Sequence, residues 1–300
     1  MTLAFITPLR HPRNSADYGR VEELLADTLN SIARQSCDDY VAIVVGNKRP
    51  SWRLPERTHF VDVDFPPPSV HQGPCTGRAP SVWDKTTKLG IGLVAARAFD
   101  PEYVMPVDSD DFVHRDLAAF ARDNSGRAGW VIKRGLIYSR RRNAFNVRRK
   151  LHRICGTSHI IPFDAFNVPT ELTVNSTQND VARAFSDYSE RVLGGHRYAL
   201  EWWRDRGRHL ESLPFTGAVY HVDTGENHSG GRLTGPGIPY GSHLERDFGI
   251  SPSRGKAATI WSSLGPAALK PDLRLRRPSF IRTAQASPEN WSPPVTASQP

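Results

Sequence analysis

The sequence predicts an α/β fold, an open and mainly parallel sheet flanked by helices. Three observations predict it. Strand-like runs alternate with stretches of helical periodicity through the first half of the chain, the pattern of parallel strands joined by crossover helices. The strand-like runs are short and apolar, and the second of them is especially rich in β-branched residues. The last of them ends on an aspartate cluster, Asp108-Ser109-Asp110-Asp111, at the carboxyl edge where open sheets of this class bind ligands.

In chain order, residues 3–9 form a short apolar run with a proline near its end and are expected as a buried strand. Residues 18–35 place Val21, Leu24, Leu25, Leu29 and Ile32 at helical spacing. The run 40–46 is a second strand. Residues 59–65, where apolar side chains alternate with Asp62 and Asp64, read as a half-buried third. A Pro- and Gly-rich loop covers 66–80, and Leu89, Leu93, Val94 and Ala98 then set a helix over 81–99. The strand 103–107 leads into the aspartates. The second half is less regular: strands are expected at 130–138 and 158–163, helices at 179–191 and 196–207, and a polar glycine-rich loop at 219–237. One domain is expected over residues 1–262. A Pro-, Ser- and Arg-rich tail at 263–300 shows no periodicity, the composition of a disordered or loosely attached segment.

With 300 residues, 38% hydrophobic and 23% charged, the chain can bury a sizeable core. No apolar run is long enough to span a bilayer. The N-terminus lacks a basic region and a small-residue cleavage site, so a cytoplasmic location is expected. Cys37, Cys75 and Cys155 are odd in number and far apart, which argues against a disulfide framework and a structural zinc site. A net charge of +8 calls for an anionic partner: nucleic acid, phospholipid head groups or a nucleotide diphosphate.

Three carboxylates within four residues repel one another unless a cation neutralises them or one holds a proton. Asp108 and Asp110 point the same way if extended geometry persists past Val107. Hard oxygen ligands suit Mg²⁺ or Mn²⁺, held through one or two carboxylates plus substrate phosphates. The alternative is a solvated turn in which Asp111 caps a helix over 114–124. Upstream, Asp84-Lys85-Thr86-Thr87-Lys88 sets two lysines on one helical face near a helix start, where a bound anion would explain them.

The string Pro101-Glu102-Tyr103-Val104-Met105-Pro106-Val107-Asp108-Ser109-Asp110-Asp111 resembles the GT-A glycosyltransferases of the large inverting family 2, in which a strand ends in a DxD or DxDD motif. The resemblance extends from residue 3 to about residue 261. It implies a GT-A, Rossmann-like sheet and transfer of a sugar from a nucleotide-diphosphate donor to a saccharide or lipid-linked hydroxyl acceptor, with inversion and a divalent metal. On that basis Thr7, Pro8, Asn47, Asp84, Lys85, Lys88, Asp108, Asp111, Gly156 and Thr157 line the donor and acceptor site. Asp108 and Asp110 hold the metal, with His228 from a late glycine-flanked loop as third ligand, while His221 in the preceding apolar run is a packed histidine. Where family members carry an Asp as base, this sequence has His196, and Asp164, Glu171 and Asp180 are rivals for that role. Of Trp202 and Trp203, one is expected in the core.

The runs Arg140-Arg141-Arg142 and Arg148-Arg149-Lys150 form the strongest basic patch, either a solvated loop or a contact with a polyanionic acceptor or the inner face of an anionic membrane. No zinc finger, RNP-type aromatic sequence or heptad zipper accompanies it, so no nucleic-acid partner is expected. Two other functions compete. A nucleotidyltransferase would carry a glycine-rich phosphate loop after its first strand, and Thr7-Pro8-Leu9-Arg10 lacks the glycines. A non-enzymatic polyanion-binding protein leaves the aspartates unexplained.

Overall fold

The computed structural model describes residues 1–71, 76–227 and 230–265. Its main sheet has seven strands in the order β10-β6-β9-β4-β1-β2-β3, where β1 is Leu3–Pro8, β2 Tyr40–Gly46, β3 Thr58–Asp62, β4 Tyr103–Pro106, β6 Trp130–Val131, β9 His159–Pro162 and β10 Glu211–Ser212. The four strands β3, β2, β1 and β4 are parallel, and β9 turns the sheet mixed by pairing antiparallel with β4 and β6. Side chains of β1 alternate between two cores. Leu3 and Phe5 pack with α1 (Tyr18–Ala33) and α3 (Leu117–Asp123). Ala4 and Ile6 pack with α2 (Arg78–Ala96), α4 (Gln178–Tyr188) and α5 (His196–Asp205). A central strand covered on both faces must be apolar at every position, and β1 and β2 are buried throughout.

Helix α2 lies close on the sheet because it carries Gly92: a Cβ there would stand 2.2 Å from Ile6 Cγ2. The close approach fixes which face of α2 looks inward.

A second, five-stranded sheet in the order β12-β8-β7-β11-β5 was not expected from the sequence. It joins β5 (Phe112–Val113), β7 (Gly135–Ser139), β8 (Ala144–Arg148), β11 (Ala218–Val222) and β12 (Ile238–Pro239). The expected single strand 130–138 is thus two strands in different sheets. The expected loop 219–237 begins as β11, whose His221 is buried as anticipated. The expected helix 179–191 breaks at Ser186, which is non-helical, and continues as a π-turn over Ser189–Leu193. Asp116, not Asp111, stands at the start of α3. Two further helices close the described chain, α6 (Ser242–Phe248) and α7 (Lys256–Leu264). Ser263 therefore sits buried in a helix, and the rest of the expected tail from residue 266 onward lies outside the described residues. No described helix is long and apolar enough to cross a membrane.

Candidate active site

Because β1, β2 and β4 run parallel, their carboxyl ends share one edge, and the segments leaving β1 and β4 there, Pro8-Leu9-Arg10 and Asp108-Ser109-Asp110, face a common cleft. The cleft holds about 670 Å³, within the range of small-ligand sites. The start of α2 supplies Arg78, Asp84 and Lys85. The start of α5 supplies His196 and Arg197, and the loop after β11 supplies Glu226, Asn227 and Arg232. Six positions named from the sequence meet there: Pro8, Asp84, Lys85, Asp108, Asp110 and His196.

Asp108 is in direct hydrogen-bonded contact with Lys85. Burial opposes the charge on both partners. Their mutual attraction outweighs it, holding Asp108 below the usual carboxylate range and Lys85 above that of a free lysine. Gly156 makes this possible, since a Cβ at that position would stand 2.7 Å from both Asp108 Oδ2 and Lys85 Nζ. Asp110, by contrast, is pushed up to about 7 by burial and by the neighbouring charge of Asp108. One of its oxygens accepts from Asn227 Nδ2 at 2.9 Å.

Asp111 turns away and is wholly buried. Its carboxyl accepts from Thr157 Oγ1 at 2.7 Å, Cys155 Sγ at 3.1 Å and the His221 N–H at 3.1 Å. Burial and the charges of Asp110 and Asp108 raise its pKa well above the ordinary value. Thr157 also accepts from the Asp108 N–H at 2.9 Å, so one hydroxyl clamps both ends of the aspartate turn. From the sequence, Asp111 and Thr157 are expected to line the donor and acceptor site. Here both are sealed beneath the cleft floor, because the turn after β4 sends Asp111 away from the side that Asp108 and Asp110 share.

Lys88 needs the same correction. It was expected beside Lys85 on a phosphate-facing surface, yet it is fully buried, donating to Asp84 Oδ2 at 2.8 Å and to the Leu9 carbonyl at 2.9 Å. The tight seating of α2 at Gly92 turns Lys88 into the sheet. Burial lowers its pKa, and Asp84 opposes the fall. Thr7 is buried with an unpartnered hydroxyl, and Asn47 donates to the Val63 and Phe65 carbonyls on the rim of a separate hollow of about 790 Å³. His228 lies outside the described residues.

His196 is held neutral at pH 7, its pKa lowered to about 4 by burial and by the Lys85 charge. Its rivals lie elsewhere: Asp164 faces Arg208 at 4.0 Å, Glu171 is exposed, and Asp180 pairs with Thr177 and Arg183. Among the described residues no three His, Cys, Asp or Glu side chains converge on a metal position. Of the tryptophans, Trp203 is core and Trp202 carries Arg206 over its ring, 3.2 Å from the centroid.

Glu226 and Asn227, missed in the sequence, complete the rim. Arg10 pairs with Glu226 at 3.0 Å, and Glu226 also accepts from the Asp17 N–H at 2.8 Å. Asn227 bridges Asp110 to the His221 carbonyl, at 2.9 and 2.8 Å. Their only signal was adjacency to His228. The arginine run dissolves into separate roles: Arg140 pairs with Asp27 at 2.8 Å, Arg142 is buried, and Arg148, Arg149 and Lys150 remain exposed.

No family model matches the chain, and no curated protein matches it. Among solved structures it is similar to S. aureus TarS 1–349 in complex with UDP-GlcNAc, with 14% identity, 78% of this chain and 62% of that one covered, and a TM-score of 0.46. It is similar also to the glycosyltransferase GlyE of Streptococcus pneumoniae TIGR4, with 13% identity, 71% and 45% covered, and a TM-score of 0.33. The chain thus spans about three fifths of the TarS fragment and under half of GlyE.

Proposed function

We propose that the protein is a glycosyltransferase that moves a sugar from a nucleotide-diphosphate donor to a hydroxyl acceptor, with inversion and with a divalent metal. The observation that carries this reading is the gathering in one cleft of the Lys85–Asp108 pair, Asp110 and neutral His196, with His196 close enough to feel the charges of Lys85 and Asp108. A diphosphate brings the negative charge that Lys85, Arg78, Arg197 and the net positive balance of the cleft arginines favour.

The residues fit a metal. Burial, and after it the charge of Asp108, pushes the Asp110 carboxyl up to about 7, and a cation beside it would favour the ionised form. Asp108 and Asp110 would hold Mn²⁺ or Mg²⁺, and such ions need only one or two protein carboxylates when phosphate oxygens complete the shell. Bound there, the metal would supply electrostatic stabilisation of the diphosphate. The chain's own part is positioning and proton handling. Lys85 sits where charge builds on the leaving diphosphate, a placement that lowers the barrier in proportion to its preorganisation. As the acceptor oxygen bonds to the anomeric carbon, the sugar–phosphate bond breaks and the hydroxyl proton passes to the free ring nitrogen of His196.

Titration calorimetry with UDP and GDP, with and without Mn²⁺, on the wild type and on Asp110→Ala tests this. Micromolar binding that requires both metal and Asp110 is the expected outcome. Binding of neither nucleotide under any metal condition would remove the donor from the scheme and leave a polyanion-binding protein as the better account.

A further inference from the structure

The last described helix is built inside out. α7 meets the body of the protein through a polar stripe, Thr259, Ser262 and Ser263. Asn143 Nδ2 donates to Thr259 Oγ1 at 2.7 Å, and Ser262 Oγ donates to the Arg142 carbonyl at 2.6 Å. The Arg142 guanidinium donates to the carbonyls of Ser262 and Ser263, each at 3.1 Å. The opposite stripe carries Ile260, Trp261 and Leu264, 55%, 63% and 55% exposed. A surface helix ordinarily turns its apolar stripe inward. Ile238, 47% exposed, extends the outward surface, since the N–H of adjacent Gly237 donates to the Ser263 carbonyl at 3.0 Å.

We propose that this apolar face of α7 docks the protein on an anionic lipid surface. The charge around it is one-sided. The three segments that meet at α7, residues 140–150, 230–241 and 249–265, contain no aspartate or glutamate, and carry six, one and two Lys or Arg. Arg148, Arg149, Lys150, Arg254 and Lys256 among them are exposed. Head-group phosphates match such a rim, while acyl chains match Ile260 and Leu264, with Trp261 at the boundary its amphipathic ring prefers. A second copy of the chain fits less well. Three large side chains about half exposed offer on the order of 300–400 Å², under half of the roughly 800 Å² each partner gives to a stable interface. Two copies would also bring like-charged rims together.

Docking and the cleft are mechanically joined. Arg142 also donates to the carbonyls of Leu233 at 2.6 Å and Gly235 at 2.8 Å, in the segment that follows cleft residues Gly231 and Arg232. α7 on a bilayer therefore sets the cleft rim beside the membrane surface, where a lipid-linked acceptor would be presented. Only this choice of acceptor depends on the transferase reading; the docking does not.

Co-sedimentation of the full chain with vesicles of phosphatidylcholine containing about a third phosphatidylserine, and with phosphatidylcholine alone, is the test. The wild type should pellet with the anionic vesicles and be released by salt. The triple variant Ile260→Ser, Trp261→Ser, Leu264→Ser should lose at least about tenfold in partitioning, while staying folded with a cooperative thermal transition because more than half of each altered side chain faces solvent. Lys256→Glu should give a smaller loss of the same kind. A wild type that ignores anionic vesicles overturns the proposal, and so does a triple variant that binds as well as the wild type. A wild-type dimer in sedimentation velocity that the triple variant converts to monomer assigns the face to a second copy instead.

Discussion

Two lysines on one helix, each paired with an aspartate, end up in opposite circumstances. Lys85 reaches into the cleft against Asp108, and both side chains keep a quarter or more of their surface exposed. Lys88, three residues later, is sealed against Asp84 and the Leu9 carbonyl. The open pair lends its charge to whatever enters. The sealed lysine ties α2 to the end of β1, while its partner Asp84 also borders the cleft. Identical residue types at helical spacing thus divide between chemistry and architecture according to how deeply the helix is seated.

Breaking the sealed pair should cost the most. Lys88→Met leaves the Asp84 charge buried without its partner, and about 3–5 kcal/mol of stability should be lost in a denaturant titration. Adding Asp84→Leu should restore much of that loss, since an apolar pair of similar volume often replaces a buried ion pair without penalty. A double variant no more stable than Lys88→Met alone would contradict the strut.

Breaking the open pair should instead strike activity. For Lys85→Met we expect kcat to fall about 10²–10³-fold, with a melting temperature much closer to wild type than that of Lys88→Met. Equal loss of stability in the two variants would erase the distinction between them. Gly156→Ala sharpens it from the other side: the added methyl meets both Lys85 Nζ and Asp108 Oδ2, and should cost about 1–3 kcal/mol together with a weaker nucleotide affinity by calorimetry.

Histidines repeat the contrast in a pH titration. His159 is sealed, and burial, then neighbouring His152, lowers its pKa from 6.5 to about 3. The unfolded chain takes up that proton first, so the stability His159 contributes is complete above about pH 6.5 and drains away as the pH falls toward 3. The slope should reach ~1.4 kcal/mol per pH unit, and His159→Gln should flatten it between pH 6 and 4. His196→Gln should leave more of that acid slope in place and act mainly on kcat. The smallest effect is expected of Asn227→Ala: loss of the hydrogen bonds to Asp110 and the His221 carbonyl should cost ~1 kcal/mol in thermal unfolding.

Much of this was legible in advance, and unevenly so. β1, α1, β2, α2 and β4 declared themselves because each buries an apolar face long enough to show its period. The second sheet did not, since β5 and β12 span two residues each and β8 carries Asn146 and Arg148. Pro8, Asp84, Lys85, Asp108, Asp110 and His196 could be singled out in advance, and they line one cleft, because strand ends and helix starts are local features. The seating of α2 is not local: it depends on contact between Gly92 and Ile6, and so Lys88 was misread although its i, i+4 spacing to Asp84 was visible. Nothing in the run Arg140-Arg141-Arg142 distinguishes the one that would be buried. α7 was hidden for a different reason, its polar stripe facing inward against the usual rule.

The bonds that finish the cleft span long stretches of chain: Asp110 waits for Asn227, 117 residues later, and Arg10 for Glu226, 216 residues later. A ribosome delivers these partners last. Until residue 227 has emerged, the aspartate turn lacks its strap and the first strand its outer lock. A prematurely ended product can therefore carry the whole DSDD sequence without the long-range bonds that close its cleft.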